Sequence, residues 1–474
     1  MSVVSESTIR KMTRLAQDYQ AVNLSQGFPN EAPPVEVRLA LAHAVLAGQP
    51  AEANEILTMT SKTASSSSRI GSPTEEVPEN DIHLRALMRK LSSMSSSSSS
   101  MHNDRVDDYG STSSIAPISS SKNADVLNQY SPPMGREDVR SAIATYYQRF
   151  YNYNVEIDNI TVTLGATEAL ASAIRSLGQP GDTAVIFEPF HELYPSQCHL
   201  FYLKPVFVTL RPTTTDKKRW TFDRNELEEA LRGARILILN SPHNPTGKIF
   251  SMEELQFIVD LCLKYRVYIV TDEIYEFMCY SEENDHILIP KAFPDIANLC
   301  LVCNSIGKSA SATGWRLGWC IHPVHISSTY RGIHDQLAVM SPHPMQYATL
   351  TYLALPDAYF RTELKQRYKE RIDVLSATLT TLGFDVIDPE GAYYLFVKYR
   401  GVPALTSIGS PYEAAMYLLH KVGVACVPGD NFYGKAIKEE GQQYLRFAAC
   451  RSIEDIREAC SRLRKHLGVP LATS

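Results

Sequence analysis

The chemistry in this 474-residue chain is most visible around one lysine. Lys308 lies three residues after Ser305 and eight before Arg316, in the stretch Asn304-Ser305-Ile306-Gly307-Lys308-Ser309-Ala310-Ser311-Ala312-Thr313-Gly314-Trp315-Arg316-Leu317-Gly318-Trp319. A lysine amine held out of water beside other cations loses basicity and becomes a nucleophile for an aldehyde. Ser305 and Arg316 can both hold phosphate oxygens, the guanidinium bidentately. Gly307-Lys308-Ser309 is similar to the end of a nucleotide-binding phosphate loop, but Val302 stands where that loop needs its first glycine, so a nucleotide site is a poor reading.

Four other segments could contribute. Asp272 follows the apolar run Val270-Thr271 and precedes Glu273-Ile274-Tyr275. An acid at the end of a buried strand needs a cationic or hydrogen-bonding partner, which a pyridinium nitrogen, an arginine or a helix N-terminus would each supply. Gly165-Ala166-Thr167 follows Leu164; small residues opening a helix leave N–H groups free for a phosphate, although they also cap ordinary helices. His191, after Phe187-Glu188-Pro189-Phe190, could stack on a flat cofactor or simply pack. Asn240-Ser241-Pro242-His243-Asn244-Pro245-Thr246-Gly247 makes a rigid turn that could aim Asn244 at a ligand.

These segments follow short apolar, β-branched runs: 160–164, 183–187, 205–210, 236–239, 267–271, 299–303 and 317–321. Helical periodicity lies between them, as over 252–264. Such alternation predicts an α/β layer with a mostly parallel central sheet covered by helices, and ligands of such sheets sit at the carboxyl ends of strands. From about Pro344 the order changes to a long helix, mixed strands (393–398, 424–427, 444–448) and a closing helix, 453–467, which predicts a smaller α+β domain. The expected division is residues 1–50 as an N-terminal part of the small domain, 124–343 as the large domain and 344–474 as the small C-terminal domain. Residues 51–123, with serine runs at 65–68 and 95–100, read as a disordered insertion with a short helix over 81–91, a neutral spacer rather than a phosphorylated regulatory loop.

Composition excludes several classes. Forty-six basic and 52 acidic residues leave a net charge of −6, which gives no footprint for nucleic acid or an acidic membrane. No apolar run is long enough to cross a bilayer. Nine scattered cysteines read as reduced thiols of a cytoplasmic protein, and no His/Cys ligand spacing suggests a metal. The faintly basic N-terminus reads as a first surface helix rather than a transit peptide.

Taken in order, Asn244-Pro245-Thr246-Gly247, Asp272-Glu273-Ile274-Tyr275 and Ser305-x-x-Lys308 with Gly314-Trp315-Arg316-Leu317-Gly318-Trp319 resemble the class I/II aminotransferases that depend on pyridoxal 5′-phosphate (PLP), of fold type I, and especially the kynurenine, glutamine and methionine aminotransferases. The resemblance runs from about Thr8 to His466. It implies that Lys308 carries the cofactor, that Asp272 keeps the pyridine nitrogen protonated and that Asn244 and Tyr275 bond the phenolic oxygen. Ala166, Thr167, Ser305 and Arg316 would cradle the phosphate, and His191 would stack on the ring. Asn23-Leu24-Ser25-Gln26-Gly27-Phe28-Pro29 and Tyr444-Leu445-Arg446-Phe447 resemble the segments in which Gly27 and Arg446, with Asn244, meet the substrate carboxylate. Tyr130, in Asn128-Gln129-Tyr130-Ser131-Pro132, would reach the phosphate of a neighbouring subunit in a homodimer. The implied reaction moves an amino group from a neutral aromatic or sulfur-containing L-amino acid to a 2-oxo acid by a ping-pong mechanism. The alternatives are a carbon–sulfur β-lyase on the same fold and a PLP-binding regulator. Three departures stand out: His191 in place of Tyr or Phe, Ala310 where an aromatic is common, which would loosen packing, and the insertion ahead of Tyr130.

Overall fold

The computed structural model describes residues 7–45, 127–214, 218–281, 285–434 and 437–468. The serine-rich segment 51–123 and the helix expected at 81–91 lie outside the described residues.

Fourteen strands are described in chain order: β1 Val22–Asn23, β2 Ile160–Thr163, β3 Thr183–Glu188, β4 Lys204–Thr209, β5 Arg211–Pro212, β6 Trp220–Thr221, β7 Ile236–Asn240, β8 Tyr268–Asp272, β9 Cys300–Ser305, β10 Gly318–Ile321, β11 Tyr394–Lys398, β12 Val424–Ala425, β13 Val427–Pro428 and β14 Tyr444–Ala448. Seven form the central sheet in the order β2-β10-β9-β8-β7-β3-β4. It is parallel except for β10, which runs antiparallel to both neighbours. The expected runs and the observed strands differ at their ends by no more than two residues; Leu164, for example, falls just outside β2.

The runs are unbroken in apolarity because both faces of the sheet are covered. Successive side chains point to opposite faces of a strand, and here they enter two separate cores. Leu237, Leu239, Ile269 and Val302 join one cluster, while Ile236, Ile238, Val270 and Leu301 join the other with Leu170 and Ile174 from the helix Gly165–Leu177. Cys300 and Cys303 have a C-x-x-C spacing, which the reading of scattered thiols passes over. On strand β9 that spacing sends the two sulfurs to opposite faces, one into each core.

The chain order reverses between β3 and β7: from β3 it steps outward to β4, and from β7 it steps the other way through β8 and β9. A crevice forms at such a reversal, outside the carboxyl ends of the strands. Beyond the sheet, β11, β14 and β13 make a three-stranded antiparallel sheet, and β1 pairs in parallel with β12. That pairing ties the residues after the helix Thr8–Asp18 to the C-terminal elements, and it carries the segment 24–28 across to the crevice.

All nine cysteines are free and buried. Burial pushes the Cys198 thiol up to about 12, and a buried protonated thiol is inert. Under non-denaturing conditions a thiol-titrating disulfide reagent is expected to react rapidly with none of them, and with nine after unfolding. Fast reaction of several thiols in the folded protein would contradict this packing.

Candidate active site

The phosphate-sized end of the crevice is built where β2 meets its helix. Gly165 has a φ of +75°, and a Cβ there would run into the Arg316 guanidinium. Its hydrogen side chain therefore serves both the turn and the close approach. Leu164 caps the helix without a side-chain hydrogen bond, so the N–H groups of the first turn gain no side-chain partner there. Arg316 Nη2 lies 3.3 Å from Thr167 Oγ1, and its Nη1 donates to the Thr313 carbonyl at 3.0 Å. Gly318, paired with Ser305 across β10 and β9, leaves room for the backbone of Gly165 and Ala166. Ala166, Thr167, Ser305 and Arg316 are thus gathered around one helix N-terminus.

Asp272 ends β8 and is 3% exposed. Its Oδ2 accepts a 2.8 Å hydrogen bond from Tyr194, while Oδ1 is buried without a partner. Burial raises the carboxyl to about 6 against the lowering effect of the Tyr194 hydrogen bond. Lys308 Nζ donates to the Gly27 carbonyl at 2.5 Å. Burial lowers its pKa to about 8, with Arg446 and Arg316 adding to the fall and Cys450 and Asp272 opposing it. His191 is held neutral, at about 3, by burial and then by Arg446 and Lys308.

Arg446, in the middle of β14, is 1% exposed. Nη1 donates to Asn244 Oδ1 at 3.0 Å and Nη2 to the Ser25 carbonyl at 2.7 Å. The guanidinium lies 4.5 Å from the ring centre of Tyr394 and 4.8 Å from that of Phe432, and its Nε is buried without a partner. Asn244 is fixed in turn by its backbone N–H on Asn240 Oδ1 at 2.7 Å. The Tyr275 hydroxyl is 3.0 Å from that of Tyr394.

Tyr130 stands apart, 79% exposed. Its flanks are pinned all the same: the Gln129 carbonyl lies 2.8 Å from His343 Nδ1, and Ser131 Oγ accepts from Gln346 at 2.9 Å. Ala310 is fully buried in the main core. Sequence reasoning missed Tyr194, Tyr394 and Phe432, which hold Asp272, Tyr275 and Arg446. It also missed a buried group of Glu273, Glu276 and His286, whose possible ligand atoms lie within 4.8 Å of one another. The carboxylates there are already engaged, Glu273 by Thr271 and His286 and Glu276 by Tyr146, Tyr151 and Asn304.

The crevice thus offers an amine of lowered basicity, a buried carboxylate with one open oxygen, an anion-binding helix end with an arginine, and a second, deeply buried arginine with one open donor. A flat, phosphorylated pyridine aldehyde fits the first three: the open Asp272 oxygen suits its ring nitrogen, the helix end its phosphate and Lys308 its aldehyde. Comparison with known proteins agrees. Residues 114–463 match the family Aminotransferase class I and II. The chain is 31% identical over 358 residues to a probable kynurenine–oxoglutarate transaminase of Saccharomyces cerevisiae, covering 72% of this chain and 80% of that protein. It is 32% identical over 347 residues to a probable N-succinyldiaminopimelate aminotransferase of Mycobacterium tuberculosis, covering 71% and 84%. The solved structure of the N-succinyldiaminopimelate aminotransferase from Mycobacterium tuberculosis superposes with a TM-score of 0.76 at 26% identity, covering 97% of each chain.

The chain belongs to the class I and II aminotransferases. It is a PLP-dependent enzyme of fold type I.

Asp272 makes the cofactor-free protein pH-sensitive. Its folded pKa is raised from 3.8 to about 6, so the folded state binds more protons across that window and stability falls as pH rises through it. A shift of this size corresponds to about 2 to 3 kcal/mol. In thermal unfolding of the cofactor-free protein, Asp272→Asn is expected to flatten the pH dependence between pH 4 and 6.5 relative to wild type. Parallel pH curves for the two proteins would show that Asp272 is not buried with an open oxygen.

Proposed function

We propose that this aminotransferase takes the amino group of a neutral L-amino acid, aromatic or sulfur-containing, and passes it to a 2-oxo acid in two half-reactions at one site. The observation that carries this reading is the bent segment Ser25–Gly27. The Ser25 carbonyl accepts from Arg446 and the Gly27 carbonyl from Lys308. One short segment therefore anchors both a candidate carboxylate clamp and a reactive amine through its carbonyls.

In this mechanism Arg446 binds the substrate carboxylate with its open Nε, assisted by the Gly27 backbone and Asn244. Stacking between Tyr394 and Phe432 holds the guanidinium in one plane and keeps water from it. PLP, when bound, supplies the electron sink for charge developing at the α-carbon. Asp272 keeps the ring nitrogen protonated through its open oxygen. Tyr275 and Asn244, the latter by its Nδ2, bond the phenolic oxygen. Ala166, Thr167, Ser305 and Arg316 would hold the phosphate, and neutral His191 would face the ring. The Lys308 amine would take the proton from the substrate α-carbon and return it on the cofactor side, and water would then release the oxo acid. A second oxo acid reverses these steps.

The preference for a neutral side chain rests on the surroundings of the same segment. Arg371 and Arg367 are paired with Glu31, and Arg451 donates to the Asn23 carbonyl while lying 4.3 Å from the Phe28 ring centre. Arg367 and Arg451 are engaged, and Arg371 is paired with Glu31 although its Nη1 is buried without a hydrogen-bond partner; Phe28 is partly exposed there, and Tyr275, Tyr393 and Tyr394 are buried. The proposal extends to a homodimer in which exposed Tyr130 reaches the partner's phosphate, to a large domain of residues 124–343 with a small one of 344–474 completed by 1–50, and to action in the cytoplasm. Among the described residues no helix is long and apolar enough to cross a membrane.

Two measurements test this. A panel of amino acids added to the PLP-loaded protein without acceptor is expected to bleach the visible band and release one equivalent of oxo acid, fastest with aromatic and sulfur-containing donors. Release of ammonia and sulfide instead would overturn transamination. Lys308→Ala is expected to fold and to lose turnover. Arg446→Ala is expected to lower kcat/KM by about 100-fold or more, the usual loss on truncating one partner of a buried charged pair; an unchanged value would remove Arg446 from the substrate site.

A further inference from the structure

We infer that Tyr394 is a positioning residue that couples the phenolic-oxygen contact to the carboxylate clamp, acting through Tyr275 on one side and Arg446 on the other. This rests on the roles proposed above for those two residues. Tyr394 begins β11 and is 2% exposed. It meets three parts of the site with three parts of its side chain. Its hydroxyl lies 3.0 Å from the Tyr275 hydroxyl. Its ring face carries the Arg446 guanidinium at 4.5 Å. Its hydroxyl end also packs against the backbone of Gly27, where any side chain would collide with it, and the Gly27 carbonyl is the acceptor for Lys308.

The direction of the hydrogen bond follows from its surroundings. A hydroxyl has one proton to donate. If Tyr275 donates to the phenolic oxygen of the bound cofactor, its own oxygen is left as acceptor, and Tyr394 becomes the donor. A chain of two hydroxyls polarises each member, so the outer donor strengthens the inner one. Burial raises the pKa values of both tyrosines, and Arg446 opposes the rise at Tyr394, so both stay protonated as donors. The other titratable groups facing Tyr394 are Tyr393, which also hydrogen-bonds it, and Cys450, and those facing Tyr275 are Tyr393, Asp272 and Tyr194.

A donor to the phenolic oxygen stabilises its anionic form and so lowers the pH at which the Lys308–cofactor linkage loses its proton. Removing the Tyr394 hydroxyl weakens that donor at one remove. The ring is a separate matter, since it supports Arg446 whether or not it bears oxygen.

The test uses the full chain loaded with PLP, as wild type, Tyr394→Phe, Tyr275→Phe, the Tyr275→Phe/Tyr394→Phe double variant and Tyr394→Leu, with circular dichroism as the folding control. The pH midpoint of the visible band is expected to rise in Tyr394→Phe by about half a unit, in keeping with a bond strengthened by a fraction of its worth. It is expected to rise further in Tyr275→Phe, and the double variant is expected to match Tyr275→Phe alone, because the outer hydroxyl acts only through the inner. KM for a neutral amino acid is expected to stay within about twofold in Tyr394→Phe and to rise about 10-fold in Tyr394→Leu, the scale of a lost desolvated cation–π contact. An unmoved midpoint in Tyr394→Phe, or shifts that simply add in the double variant, would overturn the coupling while leaving the aminotransferase site intact. A wild-type protein that shows no visible band with PLP would instead overturn the assignment of the site, and this inference with it.

Discussion

Burial of a carboxylate with one oxygen satisfied and the other open is the constraint around which this molecule is organised. An uncompensated charge at the end of a central strand is costly, and Asp272 meets that cost only in part, through Tyr194 on Oδ2. In the proposed mechanism the open Oδ1 would receive the cofactor's ring nitrogen and keep it protonated. The sheet supplies the rest. Because β2, β3, β7, β8 and β9 all run the same way, their carboxyl ends bring the helix N-terminus, His191, Asn244, Asp272 and Lys308 to one edge.

The substrate side is built differently. Arg446 comes from the second sheet and is linked to Lys308 through the bent segment that follows β1. Residues 22–23 pair with β12, and the next few residues offer carbonyls to Arg446 and Lys308 in turn. The position of the clamp relative to the amine therefore depends on a two-residue parallel pairing. The aromatic rings of Tyr394 and Phe432 then replace the water that the guanidinium has lost.

Much of this was legible in the sequence, for reasons that the cores explain. Runs such as Ile236–Leu239 are apolar at every position because the sheet has helices on both faces, so strand ends were readable to within about two residues. The motif residues sit directly after those ends, and Lys308, Asp272, Asn244 and Arg316 follow from reading along each strand. What could not be read were the partners that arrive from elsewhere. Tyr194 reaches Asp272 across 78 positions, and Tyr394 reaches Tyr275 across 119. A buried tyrosine in an apolar stretch carries no local mark that its hydroxyl has a task.

The most direct test of the assignment is covalent. The wild-type protein would be incubated with PLP, reduced with borohydride, digested and mapped by mass spectrometry. One phosphopyridoxyl group per chain on Lys308 is the expected result, because this amine combines lowered basicity with the cofactor-shaped surroundings. A group on another lysine, or none at all, would contradict the central assignment, whatever the fold.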